Sequence, residues 1–445
     1  MCLAAGSAFA DSLGNAVRDA VASNPLIGEA GANRRAIDAE VDQAQGLYRP
    51  KLDVEAYTGP YKYDRSSLAD RDNREWRLSR SASVVLRQTL FDGFFRANEV
   101  FRQYARVNGA AARVLERSEV VALDAVEVYV DLIRHYRILE LADQNIAAHR
   151  GIVARIADLA RGGTATTGDR AQAEERLAAA EAIRADVLRA LGEARARFKR
   201  VVGREPGKLA GTGVPKTGVG TAREAVSRAR ANHPTLRAVD ADIETAEAEY
   251  DQTKSLFMPK IGLEGRATIG QDIGGTPGHN NELSARLTLN WNLYNGGIDR
   301  ARKRERRERL TENQIRRDRL RRDVDEAAER AFSDVSTNDL RLSVLRRENG
   351  KAQQVRAAYT QEFEAGLRSL LDLLDAENSV FNTRVQLVTS ESIAVFSRYQ
   401  LIASMGSLLD KFGIDPPADA VVDNSDPRYR PLGIGSFTLE PLRKW

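Results

Sequence analysis

The chain has 445 residues, with 67 basic against 63 acidic side chains for a net charge of +4, one cysteine and four histidines. So near a balance calls for no nucleic-acid partner, and the lone Cys2 excludes a disulfide framework and a cysteine metal site. His135, His149, His233 and His279 stand without ligand spacing, and the 42% hydrophobic content is rich in alanine, which suits long helices better than one thick core.

Met1 to Ala10 read as the tail of a secretory signal closing on Ala8-Phe9-Ala10, with a mature start near Asp11. No later window holds eighteen consecutive apolar residues, so a membrane role would have to use strands. From Asp11 to Tyr48 the residues are helical in type, interrupted at Asn24-Pro25 and ended by Arg49-Pro50-Lys51. The same order returns at His233-Pro234 and runs to Met258-Pro259-Lys260, with Asp42-Gln43 matched by Asp251-Gln252 at an offset of 209. Two such copies predict an internal duplication.

After each proline the hydrophobic period switches to two. Leu52, Val54 and Ala56 alternate with Asp53, Glu55 and Tyr57, and a less regular run covers Ser81 to Phe91. In the second copy Ile261, Leu263, Ala267 and Ile269 alternate with polar residues, and Leu283 to Leu293 do the same. Two hairpins are predicted, at about 51–91 and 260–294, with polar loops at Gly59 to Glu75 and Asp272 to Asn281. Strands with one apolar and one polar face, joined by polar loops, are the pattern of an outer-membrane barrel. Four strands cannot close one, and open edges do not survive in lipid, so a membrane role would require several copies of the chain.

Leu90-Phe91-Asp92-Gly93 and Leu293-Tyr294-Asn295-Gly296 close the hairpins at an offset of 203. Long helices follow, predicted over 95–160 and 298–363; some 65 residues would span roughly 100 Å. Val114, Val121 and Val128 form one heptad row and Ala125, Leu132, Leu139 and Ile146 another, so the first long helix should pack along its length. Each breaks at glycine, Gly162-Gly163 or Gly366, and a return helix is predicted at 169–202 and 370–412. The layout is a first repeat over 11–203, a linker at 204–220, a second repeat over 221–412 and an extended tail at 413–445. The fold class is α+β, with long helices and four strands per chain.

The pattern of helix, hairpin, long helix, glycine tip and return helix, written twice, resembles the TolC family of outer-membrane efflux and type I secretion channels. The resemblance covers about Asp11 to Pro416, and its most specific stretch is Gly366-Leu367-Arg368-Ser369-Leu370-Leu371-Asp372-Leu373-Leu374-Asp375-Ala376. It implies a homotrimer with a twelve-stranded barrel in outer-membrane lipid, continued by an α-helical barrel in the periplasm. It also implies two partners, a periplasmic adaptor and an inner-membrane transporter, and neither an enzyme activity nor a cofactor. Carried over by position, Asp372 and Asp375 would form the gate and selectivity ring, and Arg368 with Asp169 the gate-closing contacts. Gly162, Gly163, Thr164, Gly366, Leu367 and Ser369 fall on the tips that meet the adaptor. The family's threonine and tyrosine partners of the arginine are replaced here by Gly168 and Phe363. In a trimer, six carboxylates in a narrow mouth would favour cations.

The arginine-rich run from Arg300 to Arg322 is interleaved with Glu305, Glu308, Glu312 and Asp318, which favours a solvated helix over a nucleic-acid stripe. No phosphate loop, nucleophile motif or metal spacing points to an enzyme. A structural coiled-coil scaffold is the remaining rival, and it has no use for four alternating strands.

Overall fold

The structure is a computed structural model that describes residues 11–62, 76–275 and 277–422. The signal remnant, most of the first hairpin loop and the tail beyond 422 lie outside the described residues. In chain order the elements are α1 (Leu13–Ser23), α2 (Pro25–Gly46), β1 (Lys51–Tyr61), β2 (Arg77–Phe91), α3 (Phe95–Arg161), α4 (Thr167–Val202), α5 (Ala222–Asn232), α6 (Pro234–Gln252), β3 (Lys260–Gln271), β4 (His279–Asn290), α7 (Ile298–Glu364), α8 (Leu370–Ser404) and α9 (Leu408–Phe412). α1, α2 and β1 begin 209 residues before α5, α6 and β3, whereas α3 and α4 begin 203 residues before α7 and α8. The offset therefore changes across the hairpin loops, and α3 and α7 are both 67 residues long.

Several extents differ from the sequence reading: β1 runs on to Tyr61, inside the stretch expected as loop, and β2 starts at Arg77 rather than Ser81. β4 starts at His279, inside the stretch expected as loop, and stops at Asn290 rather than continuing to Leu293. Its last partner is Lys260, the first residue of β3; Pro259 before it has no N–H for a ladder. Trp291 turns instead to donate its Nε1 to the Phe257 carbonyl at 3.2 Å. The second return helix, expected to run to Phe412, breaks after Ser404, because Gly406 takes φ +65° at a place where a Cβ would meet the His233 backbone of the α5–α6 corner.

The described residues fall into two compact units. One comprises 11–31, Ala112–Leu236 and Arg319–Val421; the other contains Ala32–Ala111 and Arg237–Asp318. The first is held by a helical core in which Val17, Val121, Ala125, Tyr129, Leu132 and Phe198 are fully buried. Val114, Val121, Ala125 and Leu132 of the two heptad rows are all sealed, while Val128 and Leu139 are partly covered. Tyr129 stacks obliquely on Phe198 and directs its hydroxyl at the carbonyls of Asp11 and Ala210, tying the linker to the helices.

In the second unit the four strands form one antiparallel sheet in the order β1-β2-β3-β4, with β1 and β4 as edges unpaired among the described residues. The register sets Val54 beside Val84, Ala267 and Leu283, and Leu52 beside Leu86, Gly265 and Ala285. That face is apolar and uncovered: Val54 is 73% and Leu283 87% exposed. The opposite face is polar and cross-linked by charge, with Arg87 bridging Asp53 at 2.7 Å and Glu264 at 3.2 Å. Alternation at period two has thus sorted one face for apolar surroundings and the other for water. No described helix is long and apolar enough to cross a membrane. The arginine-rich start of α7 is ion-paired, through Arg306 to Glu249, Arg317 to Asp240 and Arg309 to Glu312.

Candidate functional site

Both long helices end in the same way. At the end of α3 the Thr164 N–H reaches the Leu159 carbonyl at 3.0 Å with Gly163 at φ +78°; at the end of α7 the Leu367 N–H reaches the Glu362 carbonyl at 2.8 Å with Gly366 at φ +72°. A six-to-one hydrogen bond around a left-handed residue is the Schellman stop, and glycine is the residue that takes that backbone without a Cβ clash. The next helix is capped at once. Thr166 opens α4 and Ser369 opens α8, each accepting from the N–H of the aspartate three residues on, Asp169 and Asp372.

The two caps are not equal. Asp169 completes a capping box: its carboxylate accepts from the Thr166 backbone N–H at 2.9 Å and from the Thr166 hydroxyl at 2.8 Å. Those bonds hold its carboxyl below the usual aspartate range. Among the described residues Asp372 accepts only from the Ser369 hydroxyl, at 2.7 Å, and leans toward Arg368 at 4.0 Å. Asp375, one turn on, pairs across to Arg176 of α4 at 3.6 Å. Both carboxylates remain substantially exposed.

Arg368 is not brought to Asp169 within the chain. Its guanidinium lies over the Tyr359 ring, 4.2 Å from the centroid, and donates to Glu362 at 2.8 Å. That hydrogen bond raises Arg368 above its usual pKa. Phe363 lies instead in a small apolar cluster with Ile156, Ala173, Leu370 and Leu374, which packs the two tips side by side. An aromatic ring there needs no hydroxyl. Gly168 is the second residue of α4 and has open space around it apart from the Thr166 hydroxyl.

Tyr359, Glu362 and Arg176 were not singled out from the sequence. A signal existed: at the offset of 203, Tyr359, Glu362 and Arg368 stand opposite Ile156, Leu159 and Ala165. The second tip is charged where the first is apolar. Leu367 is 79% exposed and Leu371 and Leu159 are also open, so each tip presents apolar side chains outward.

A duplicated chain of long helices with glycine-stopped tips, joined to a sheet with one uncovered apolar face, defines the class of outer-membrane channel proteins built from a helical and a stranded part. Residues 225–407 match the family model described as "Outer membrane efflux protein". The outer membrane efflux protein BepC of Brucella suis is 27% identical over 414 residues, covering 92% of this chain and 88% of that protein. Among solved structures, the outer-membrane channel OprN superposes with a TM-score of 0.76 at 19% identity, covering 88% of this chain and 89% of the other. The open state of the MtrE outer-membrane channel of Neisseria gonorrhoeae gives 0.74 at 16%, covering 89% of each. The chain is thus similar to outer membrane efflux proteins in sequence and to solved outer-membrane channels in fold.

Proposed function

We propose that three copies of the chain form the exit duct of a tripartite export system, lying in the outer membrane with the helical part in the periplasm and passing small molecules or polypeptides. The observation that carries this reading is the sheet. Among the described residues it has an uncovered apolar face, a charged opposite face and two unpaired edges. In lipid such edges must be paired, and pairing β4 of one copy with β1 of the next would close twelve strands with the charged face inward. Detergent-solubilised protein should therefore run as a trimer, and a detergent-free soluble monomer would overturn the reading.

The tips supply the gate in this proposal. Asp372 and Asp375 line the constricted mouth, and Arg368 with Asp169 makes the contacts between neighbouring chains that hold it shut. Opening would require Arg368 to exchange Glu362 and Asp169 as partners. The apolar tips around Gly162, Gly163, Thr164, Gly366, Leu367 and Ser369 meet a periplasmic adaptor, which couples the duct to an inner-membrane transporter. Single-channel recording in a planar bilayer tests the ring. Asp372→Ala with Asp375→Ala should abolish cation preference and divalent-cation block at the mouth; an unchanged channel would remove both aspartates from the gate.

A further inference from the structure

The polar face of the sheet is charged unevenly along the strands. Across the register one row reads Lys51, Arg87, Glu264 and Arg286, the next Asp53, Val85, Arg266 and Ser284, and the third Glu55, Ser83, Thr268 and Glu282. Lys260 lies on the same face, four residues before Glu264. Together with Lys260, the first two rows hold five cations and two carboxylates, while the third holds two carboxylates and no cation. The cations belong to the strand ends that adjoin helices in the chain.

Local pairing does not cancel this excess. Glu264 is shared by three arginines, Arg87 at 3.2 Å, Arg266 at 3.8 Å and Arg286 at 4.0 Å, Asp53 is taken by Arg87, and Glu55 of the third row reaches Arg266 at 4.0 Å. Lys51 and Lys260 have no ion-pair partner among the described residues, and Arg286 is more than half exposed. Since the other face of the same strands is apolar, these cations point into the water-filled side of any barrel the sheet builds.

We propose that this basic belt, with Lys51 and Lys260 as its free charges and Arg286 held only at the limit of an ion pair, is a specificity-determining element that makes the stranded part of the duct favour anionic over cationic solutes. The proposal rests on the duct reading above and assigns the belt a sign opposite to that of the tip aspartates. Rings of side-chain charge select by sign in pores. Their reach is the Debye length, about 30 Å at 0.01 M salt and about 3 Å at 1 M, so the preference belongs to dilute salt. Glu55 and Glu282 oppose it from the next row.

Reversal potentials across a KCl gradient in planar bilayers test the belt, with Asp372→Asn and Asp375→Asn present in every protein compared so that the tips do not mask it. The parent should be anion-selective in dilute salt and lose that preference at 1 M. Lys51→Gln with Arg286→Gln should lower the chloride-to-potassium permeability ratio by at least about twofold. Arg286→Lys should retain it, and Glu55→Gln with Glu282→Gln should raise it. Channels that conduct with reversal potentials indifferent to all these changes would overturn the belt while leaving the duct intact. A parent that forms no channel at all would overturn both.

Discussion

Asp372 carries two structural duties at once, and that constrains what any substitution there reports. As the third residue of α8 it stabilises the helix start through Ser369, and in the proposed ring it supplies charge to the mouth. Replacing the cap alone separates the two. Ser369→Ala should loosen the α8 start by roughly 1 kcal/mol, seen as faster amide exchange at residues 370–373, while leaving ion selectivity unchanged. Thr166→Ala should do the same for α4, and more severely, because there the box is complete. A second residue-scale prediction concerns Glu119 of α3. Its carboxylate is buried against the break between α8 and α9, accepting from the N–H groups of Leu408 at 2.9 Å and Leu409 at 3.3 Å, with Asp410 nearby. Burial pushes its pKa up to about 7, against the opposing pull of the two donors. A carboxyl that binds its proton more tightly folded than unfolded favours the folded state most at low pH. The helical unit should therefore lose stability as pH rises from the ordinary glutamate range through about 7, by a few kcal/mol at most. Melting temperatures at pH 5 and pH 8 should differ in that sense, and Glu119→Gln should flatten the difference; a melting temperature that rises with pH over that range in the unaltered protein would contradict the assignment.

At the scale of elements, much was legible in the sequence and the exceptions have local causes. The glycine stops and the long proline-free helices were readable because Gly163 and Gly366 are residues whose backbone preference decides the outcome by itself. The end of β4 was not, since Trp291 and Leu293 keep the alternation of a strand, and what stops the ladder is the partner's Pro259. The break in the second return helix has the same character. Gly406 reads as one glycine in a helical run; what makes it a corner is the α5–α6 turn pressed against it, with a Cβ on Gly406 meeting the His233 Cα at 3.0 Å. Gly406→Ala combines that contact with a positive φ and should destabilise the helical unit by about 1–3 kcal/mol, read as a lower melting temperature. The aspartates and Arg368 were found by position in a motif, whereas Tyr359 and Glu362 were missed because their role depends on the turn folding Arg368 back over α7.

For the whole molecule, the sheet's two faces make the sharpest distinction between a membrane channel and a soluble scaffold. Leu283 and Ser284 are neighbours in sequence and point to opposite faces. Leu283→Arg would set a cation on the lipid side and should cost about 2–4 kcal/mol near the bilayer midplane, depleting trimers from the outer-membrane fraction. Ser284→Arg should be tolerated. Equal loss from both substitutions would argue against a lipid-facing surface. The number of copies was not readable from one chain, because pairing between copies leaves no periodic trace in a single sequence.

The matched lengths of α3 and α7 carry a rule for how such a chain can change. One residue added to either helix would advance everything beyond it by 1.5 Å and turn it by roughly 100°, carrying a tip's glycine, cap and acid away from the neighbours they pack against. The hairpin loops impose no such phase, and there the two copies do differ in length, the offset dropping from 209 to 203. Insertions and deletions in relatives should accordingly gather in the loops, and those that enter a long helix should come in both copies or in steps near a whole number of turns.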